Sequence, residues 1–277
     1  IVIMVETTEM AIKSMDSQLR NVLSETPEAD RGKLISVCLK SIPNRMNFVE
    51  CVTLVSVLSK MGFVDINNIA NDQINFVNYS QDGDPYCIRD TLYSICSASC
   101  DFTIDTDGHI KGLYITPDDE LNQYKYRSIP AELSNLPHLE KLHLNIWSLY
   151  LLDYFPVQMK LPNLKELVVD MGSVQIASSR FLTWMTTQLP SLEVLEYSTE
   201  RKNDVTVIID SLRTSDLCFH NSLKHLTLGC CFMEQESFEI LMIEIVPKCR
   251  DLKSLNLWYN NIKSFLPIVD SIKNDRT

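Results

Sequence analysis

The chain carries five histidines and nine cysteines among 36 acidic and 25 basic residues. The histidines are His109, His138, His143, His220 and His225, and none stands at helical spacing from another, the arrangement that puts two metal ligands on one helix face. If His143 and His225 share a sheet face, three strand steps of ~4.8 Å hold them more than ~10 Å apart, too far for a common metal or a proton relay. No P-loop, dinucleotide fingerprint, His-Glu-x-x-His or Gly-x-Ser-x-Gly occurs, so the patterns behind phosphate cradling, zinc hydrolysis and serine acyl transfer are missing. Asp105-Thr106-Asp107-Gly108 shares part of the spacing of a calcium loop without its later acidic ligand, and reads as a turn into a strand. No cofactor, metal site or catalytic residue is expected.

The cysteines fall in two groups. Cys51, Cys87, Cys96 and Cys100 precede residue 110, Cys218, Cys230, Cys231 and Cys249 lie in the last sixty residues, and Cys38 stands apart. No pair has C-x-x-C spacing, and the second group sits among core leucines, where buried free thiols are the ordinary state. At 277 residues, 45% hydrophobic and 22% charged, the chain suits two domains or one large repeat array and not a disordered segment. Its net charge of −11 disfavours nucleic acid and anionic membrane surfaces as partners. Seven glycines, about a third of the usual ~7% share, leave little for glycine-rich phosphate loops.

The elements that must position any site come from a repeat. Five copies of an L-x-x-L-x-L pattern begin at Leu139, Leu164, Leu192, Leu223 and Leu252, with a weaker copy at Ile110-Lys111-Gly112-Leu113-Tyr114-Ile115. Their middle leucines are separated by 29, 25, 28, 31 and 29 residues. L-x-L alternation makes a short strand with one buried face. Helix-period runs follow: Phe181, Trp184, Met185 and Leu189; Val207, Ile208 and Leu212; Phe238, Leu241, Met242 and Ile245. One strand–helix unit cannot bury its apolar face alone, whereas stacked units can.

Motif and period together resemble the leucine-rich-repeat family over roughly residues 100–277. The resemblance implies an α/β fold, a right-handed solenoid or horseshoe with parallel strands on the concave side and helices on the convex side. The longer repeats look like the ribonuclease-inhibitor type, and Ser128–Leu136 like the shorter plant-type spacer. It also implies that Cys231 and Asn260 bond the neighbouring turn's backbone, with Gly172 and Glu200 breaking that ladder in the middle. The array of about six repeats spans 110–277. It is expected to be incomplete at its C-terminal end, since Ile262–Ile272 is apolar enough for another convex helix.

Residues 46–109 resemble the cysteine-bearing N-terminal cap of plant-type and fungal members. That likeness makes Cys51, Cys87, Cys96 and Cys100 disulfide candidates, with their wide spacing leaving the pairing open. Residues 1–45 are expected to be a helical extension. Ile12, Met15, Leu19 and Val22 form one helix face, Thr26–Asp30 break it, and Leu34, Val37, Cys38 and Ile42 suggest a second helix. Ile1–Val5 reads as a helix start or short strand, or as the tail of a signal or anchor segment, and a membrane would be reached only through segments beyond these residues. Asn78-Tyr79-Ser80 is a glycosylation candidate. The cap favours extracellular or cell-surface exposure over the cytoplasm, while the single sequon and the repeat cysteines pull the other way.

What remains is a surface. Side chains beside the motif leucines should point outward in three columns: Gly112, Lys141, Glu166, Val194, His225, Ser254; then Tyr114, His143, Val168, Glu196, Thr227, Asn256; then Thr116, Asn145, Asp170, Ser198, Gly229, Trp258. Candidate partner-binding residues are Tyr114, Lys141, His143, Asn145, Glu166, Asp170, Glu196, His225, Asn256 and Trp258. Tyr114 and Trp258 are the aromatic anchors of this surface, with packing under a further repeat as the alternative reading of Trp258. Glu166, Asp170 and Glu196 form an expected negative patch suited to a basic protein or peptide. The expected function is non-catalytic recognition on the concave face. Alternatives are an intracellular scaffold or inhibitor of the ribonuclease-inhibitor kind, and the ectodomain or regulatory segment of a longer receptor kinase.

Overall fold

A computed structural model describes residues 20, 23–24, 26–41, 47–60, 86–87, 98–117, 129–145, 156–171, 179–199, 204–214 and 217–265. The helix face at Ile12–Val22, the sequon at Asn78, Cys96 and residues 266–277 lie outside them. The chain divides into an N-terminal unit, residues 1–139, and a C-terminal unit, residues 140–277. The divergent first copy of the repeat falls in the former. The architecture is α/β, and most of the strand pairing is parallel.

In the N-terminal unit, α1 (Glu28–Ser41) starts directly after Pro27, whose carbonyl accepts the amides of Asp30 and Arg31. Residues 28–30 are therefore its first turn, not part of a break between helices. Glu28 and Asp30 there suit the positive end of the helix. Leu34 and Cys38 are fully buried and face α2 (Phe48–Lys60). Asn47 caps α2, its Oδ1 accepting the amides of Val49 at 2.9 Å and Glu50 at 3.3 Å.

The same unit holds an antiparallel sheet of β1 (Tyr86–Cys87), β2 (Ala98–Ile104) and β3 (Ile110–Pro117). Asp105 closes the β2–β3 hairpin, its Oδ1 accepting the amides of Asp107 and His109. Gly108 takes the left-handed φ of 85° that the turn needs. Asp105–Gly108 is thus a turn, as its sequence suggests. The turn makes β2 and β3 a hairpin, so β3 pairs antiparallel with β2. Asn47 N–H donates to the Gly108 carbonyl at 2.8 Å, which ties the start of α2 to the hairpin tip. A short 3-10 helix, Ala131–Asn135, packs on α2 and carries Glu132, ion-paired with Lys60.

The C-terminal unit is built on five parallel strands: β4 (Lys141–Asn145), β5 (Glu166–Asp170), β6 (Val194–Ser198), β7 (His225–Gly229) and β8 (Ser254–Asn256). Parallel strands need crossovers. These include α3 (Ser179–Thr187), α4 (Asp204–Thr214) and α5 (Gln235–Ile240), the last continued by helical turns to Lys248. The motif leucines Leu142, Leu144, Leu167, Leu195, Leu226 and Leu228 are buried. The helices cover them with Phe181, Leu182, Trp184 and Met185, with Val205, Ile208, Ile209 and Leu212, and with Phe238, Leu241 and Ile245. On α4 the inner face is Val205, Ile208, Ile209 and Leu212, an i, i+3, i+4, i+7 set. Val207, expected inside, is only half-buried.

Each step of the sheet is locked the same way. The Glu140 carbonyl accepts the amides of Lys165 and Glu166; Lys165 accepts those of Glu193 and Val194; Glu193 accepts those of Lys224 and His225; Lys224 accepts those of Lys253 and Ser254. The side chains at these positions alternate in charge, with Lys165 on Glu140 at 2.8 Å and Lys224 on Glu193 at 2.7 Å. The Lys224 ammonium beside Glu193 holds that carboxyl below its ordinary range.

Candidate functional site: the open face of the parallel sheet

Strand pairing sets Lys141, Glu166, Val194, His225 and Ser254 in one row across the sheet. His143, Val168, Glu196, Thr227 and Asn256 form the second row. Asn145, Asp170, Ser198 and Gly229 form the third. Apart from Gly229, these residues are half-exposed or exposed, while the leucines between them are buried or, on β8, half-buried. From Lys141 to Asn256 the strand pairing groups these residues as the motif spacing predicts. Gly112, Tyr114 and Thr116, expected to begin the rows, belong to the N-terminal unit's hairpin, where Tyr114 stands opposite Asp101.

The expected negative patch is partly cancelled. Glu166 accepts Lys141 Nζ at 2.9 Å through one oxygen and His143 Nε2 at 2.7 Å through the other. Partial burial pushes the Glu166 carboxyl up, but its bonds to Lys141 and His143 outweigh this and leave it below the usual range. Asp170 accepts the Ser198 hydroxyl at 3.1 Å, and His225 Nδ1 meets Ser254 Oγ at 2.7 Å. Glu196 lies between Val168 and Thr227 and has no hydrogen bond or ion pair among the described residues. The Asn145 Oδ1 is shielded from solvent and lacks a hydrogen-bond partner among the described residues.

At the edge of the third row the Trp258 indole lies over Gly229. A Cβ on Gly229 would stand 2.2 Å from the indole Nε1, so only glycine lets the ring approach the strand. Trp258 is 41% exposed and meets Tyr259 edge to face at 5.3 Å. Behind this edge, Asn260 Nδ2 donates to the Leu228 carbonyl at 2.7 Å and to Leu257 at 3.0 Å, while its Oδ1 accepts Met233 N–H at 2.8 Å. Cys231 Sγ bonds the Gly229 carbonyl at 3.0 Å and lies 3.8 Å from that of Tyr197. Both candidate ladder residues thus reach the backbone of the preceding strand or turn. Each follows a left-handed residue at the same repeat position: Tyr259 precedes Asn260 and Cys230 precedes Cys231, both at φ 52°.

In the N-terminal unit, Cys51 is a free, fully buried thiol. Its hydrogen-bond partner is Cys38, the cysteine that stands apart in the sequence. That bond, together with burial, pushes the Cys38 thiol well above its ordinary range. Cys87 stands opposite Asp101, one residue from Cys100.

A second cluster there went unread in the sequence. Glu50 of α2 accepts His109 Nδ1 at 2.9 Å on one oxygen and the Ile110 amide on the other. The His109 and His138 ring centroids lie 4.0 Å apart, with the ring planes tilted by 32°. With Glu50 and His109 59 positions apart and His109 and His138 29 positions apart, no local pattern announces the trio. The Asn47–Gly108 bond is what brings the helix to the hairpin tip.

Among the described residues no helix is long and apolar enough to cross a membrane. No family model, curated protein or solved structure matches the chain.

Proposed function

We propose that the chain is a non-catalytic recognition module of the leucine-rich-repeat type. In this reading the strands line the concave side of a solenoid, and a protein or peptide segment binds across the three rows. The observation that carries the reading is Glu196, a carboxylate in the middle of an otherwise mixed face. It has no cation beside it among the described residues and is flanked by the half-exposed valines Val168 and Val194. An uncompensated charge within an apolar and hydrogen-bonding surface suits a partner that brings a Lys or Arg. His225, Ser254 and Asn256 add polar contacts, and Trp258 supplies an aromatic edge.

Charge reversal tests this. Glu196→Lys is expected to weaken binding of a labelled Arg/Lys-rich peptide roughly tenfold at low salt, mainly by slowing association, and high salt should erase most of the difference. Adding Glu166→Lys should do less than a second full charge reversal, because Glu166 already holds Lys141 and His143. Unchanged affinity in a folded Glu196→Lys variant would move the site off this face.

The reading as an intracellular scaffold or inhibitor draws support from the free buried thiols Cys38 and Cys51, which suit a reducing compartment.

A further inference from the structure

We propose that Glu50, His109 and His138 form a divalent transition-metal site of the zinc type in the N-terminal unit, distinct from the sheet face and independent of its function. One donor atom from each residue lies within 4.8 Å of the others. Zinc bonds of ~2.0–2.2 Å seat tetrahedral ligands about 3.5 Å apart, so a side-chain rotation of the half-exposed His138 closes the set. Two imidazoles and a carboxylate are ligands that zinc takes readily, with a fourth position left for water or a further donor.

Three further observations fit an ion. The Glu50 side chain is only 3% exposed. Among the described residues no Lys or Arg pairs with it and its ring partner is His109, so a bound cation would supply the charge that a buried carboxylate needs beside it. The His109 and His138 ring centroids are 4.0 Å apart, which brings two imidazoles within reach of one ion. His138 has no hydrogen bond among the described residues, so its ring nitrogens are available. The supporting shell is also in place. Ile110 N–H holds the second Glu50 oxygen, as ligating carboxylates are usually held, and the 27% exposure of the His109 side chain gives an ion a way in.

The test uses the full chain, stripped with a chelator and titrated with Zn²⁺ against a chromophoric competitor, then with Co²⁺ as a spectroscopic probe. The expected result is about one Zn²⁺ per chain and a tetrahedral Co²⁺ spectrum without a thiolate charge-transfer band. Affinity should fall at least about tenfold in His138→Ala. Zn²⁺ should raise the Tm of the wild type and leave that of His138→Ala unmoved. Glu50→Gln, which can still accept the Ile110 amide, should lose affinity similarly. Because His138 lies in a surface turn, its variant remains informative even if Glu50→Gln fails to fold. Less than about a tenth of an equivalent bound, equal affinity in His138→Ala, or a thiolate band placing the ion on cysteines would each overturn the site.

Discussion

Trp184→Ala is expected to remove about 3–5 kcal/mol from the unfolding free energy of the C-terminal unit. Trp184 is fully buried on α3 and packs against Phe181 with ring centroids 5.9 Å apart. Its indole Nε1 donates to the Met159 carbonyl at 2.7 Å, so it joins the helix to the segment leading into β5. Alanine leaves a large cavity and an unpaired buried carbonyl together. Trp184→Phe separates the two: it keeps most of the volume, loses the hydrogen bond, and should cost about 1–3 kcal/mol. Urea unfolding with a constant m-value measures both. A loss below about 1 kcal/mol for Trp184→Ala would mean that α3 does not seal this core.

Leu195→Ala should cost about 2–5 kcal/mol. Leu195 is 1% exposed at the centre of β6, between Leu167 of β5 and Leu226 of β7. Its neighbour Val194 is half-exposed on the open face, and Val194→Ala should cost less than about 1 kcal/mol. The pair is a register test. Side chains alternate faces along a strand, so a one-residue slip would exchange the two values. β6 is hydrogen-bonded to both β5 and β7, so the Leu195 loss should also lower the denaturant midpoint reported by probes in those two strands.

The C-terminal unit was legible because its signals are local and recur. L-x-x-L-x-L fixes which side chains are buried, the period fixes which strands are neighbours, and together they assign Lys141, Glu166, Val194 and His225 to one row. Helix faces were read less well. On α4, Val207 and Ile208 are both apolar, and only packing decides that Val205 and Ile209 lie inside while Val207 turns outward. The N-terminal unit depended on pairings no period encodes. Cys38 meets Cys51 across two helices. Glu50 meets His109 because Asn47 both caps α2 and bonds the hairpin tip. Charge was misjudged for a related reason: composition shows Glu166 as a negative residue, but its neighbours in space, Lys141 and His143, come from a strand 25 residues away.

Whether this face is a recognition surface is tested most directly by hydrogen-exchange footprinting. A random-peptide display selection on the full chain supplies the probe, and exchange is compared with and without the tightest enriched peptide. The expected result is a net-basic peptide that slows exchange in residues 166–170, 194–198 and 225–229 and leaves α3 and α4 unchanged, with the protection lost in Glu196→Lys. Protection confined to the helices or to the N-terminal unit, or a footprint unaltered in Glu196→Lys, would contradict recognition through the open face of the sheet.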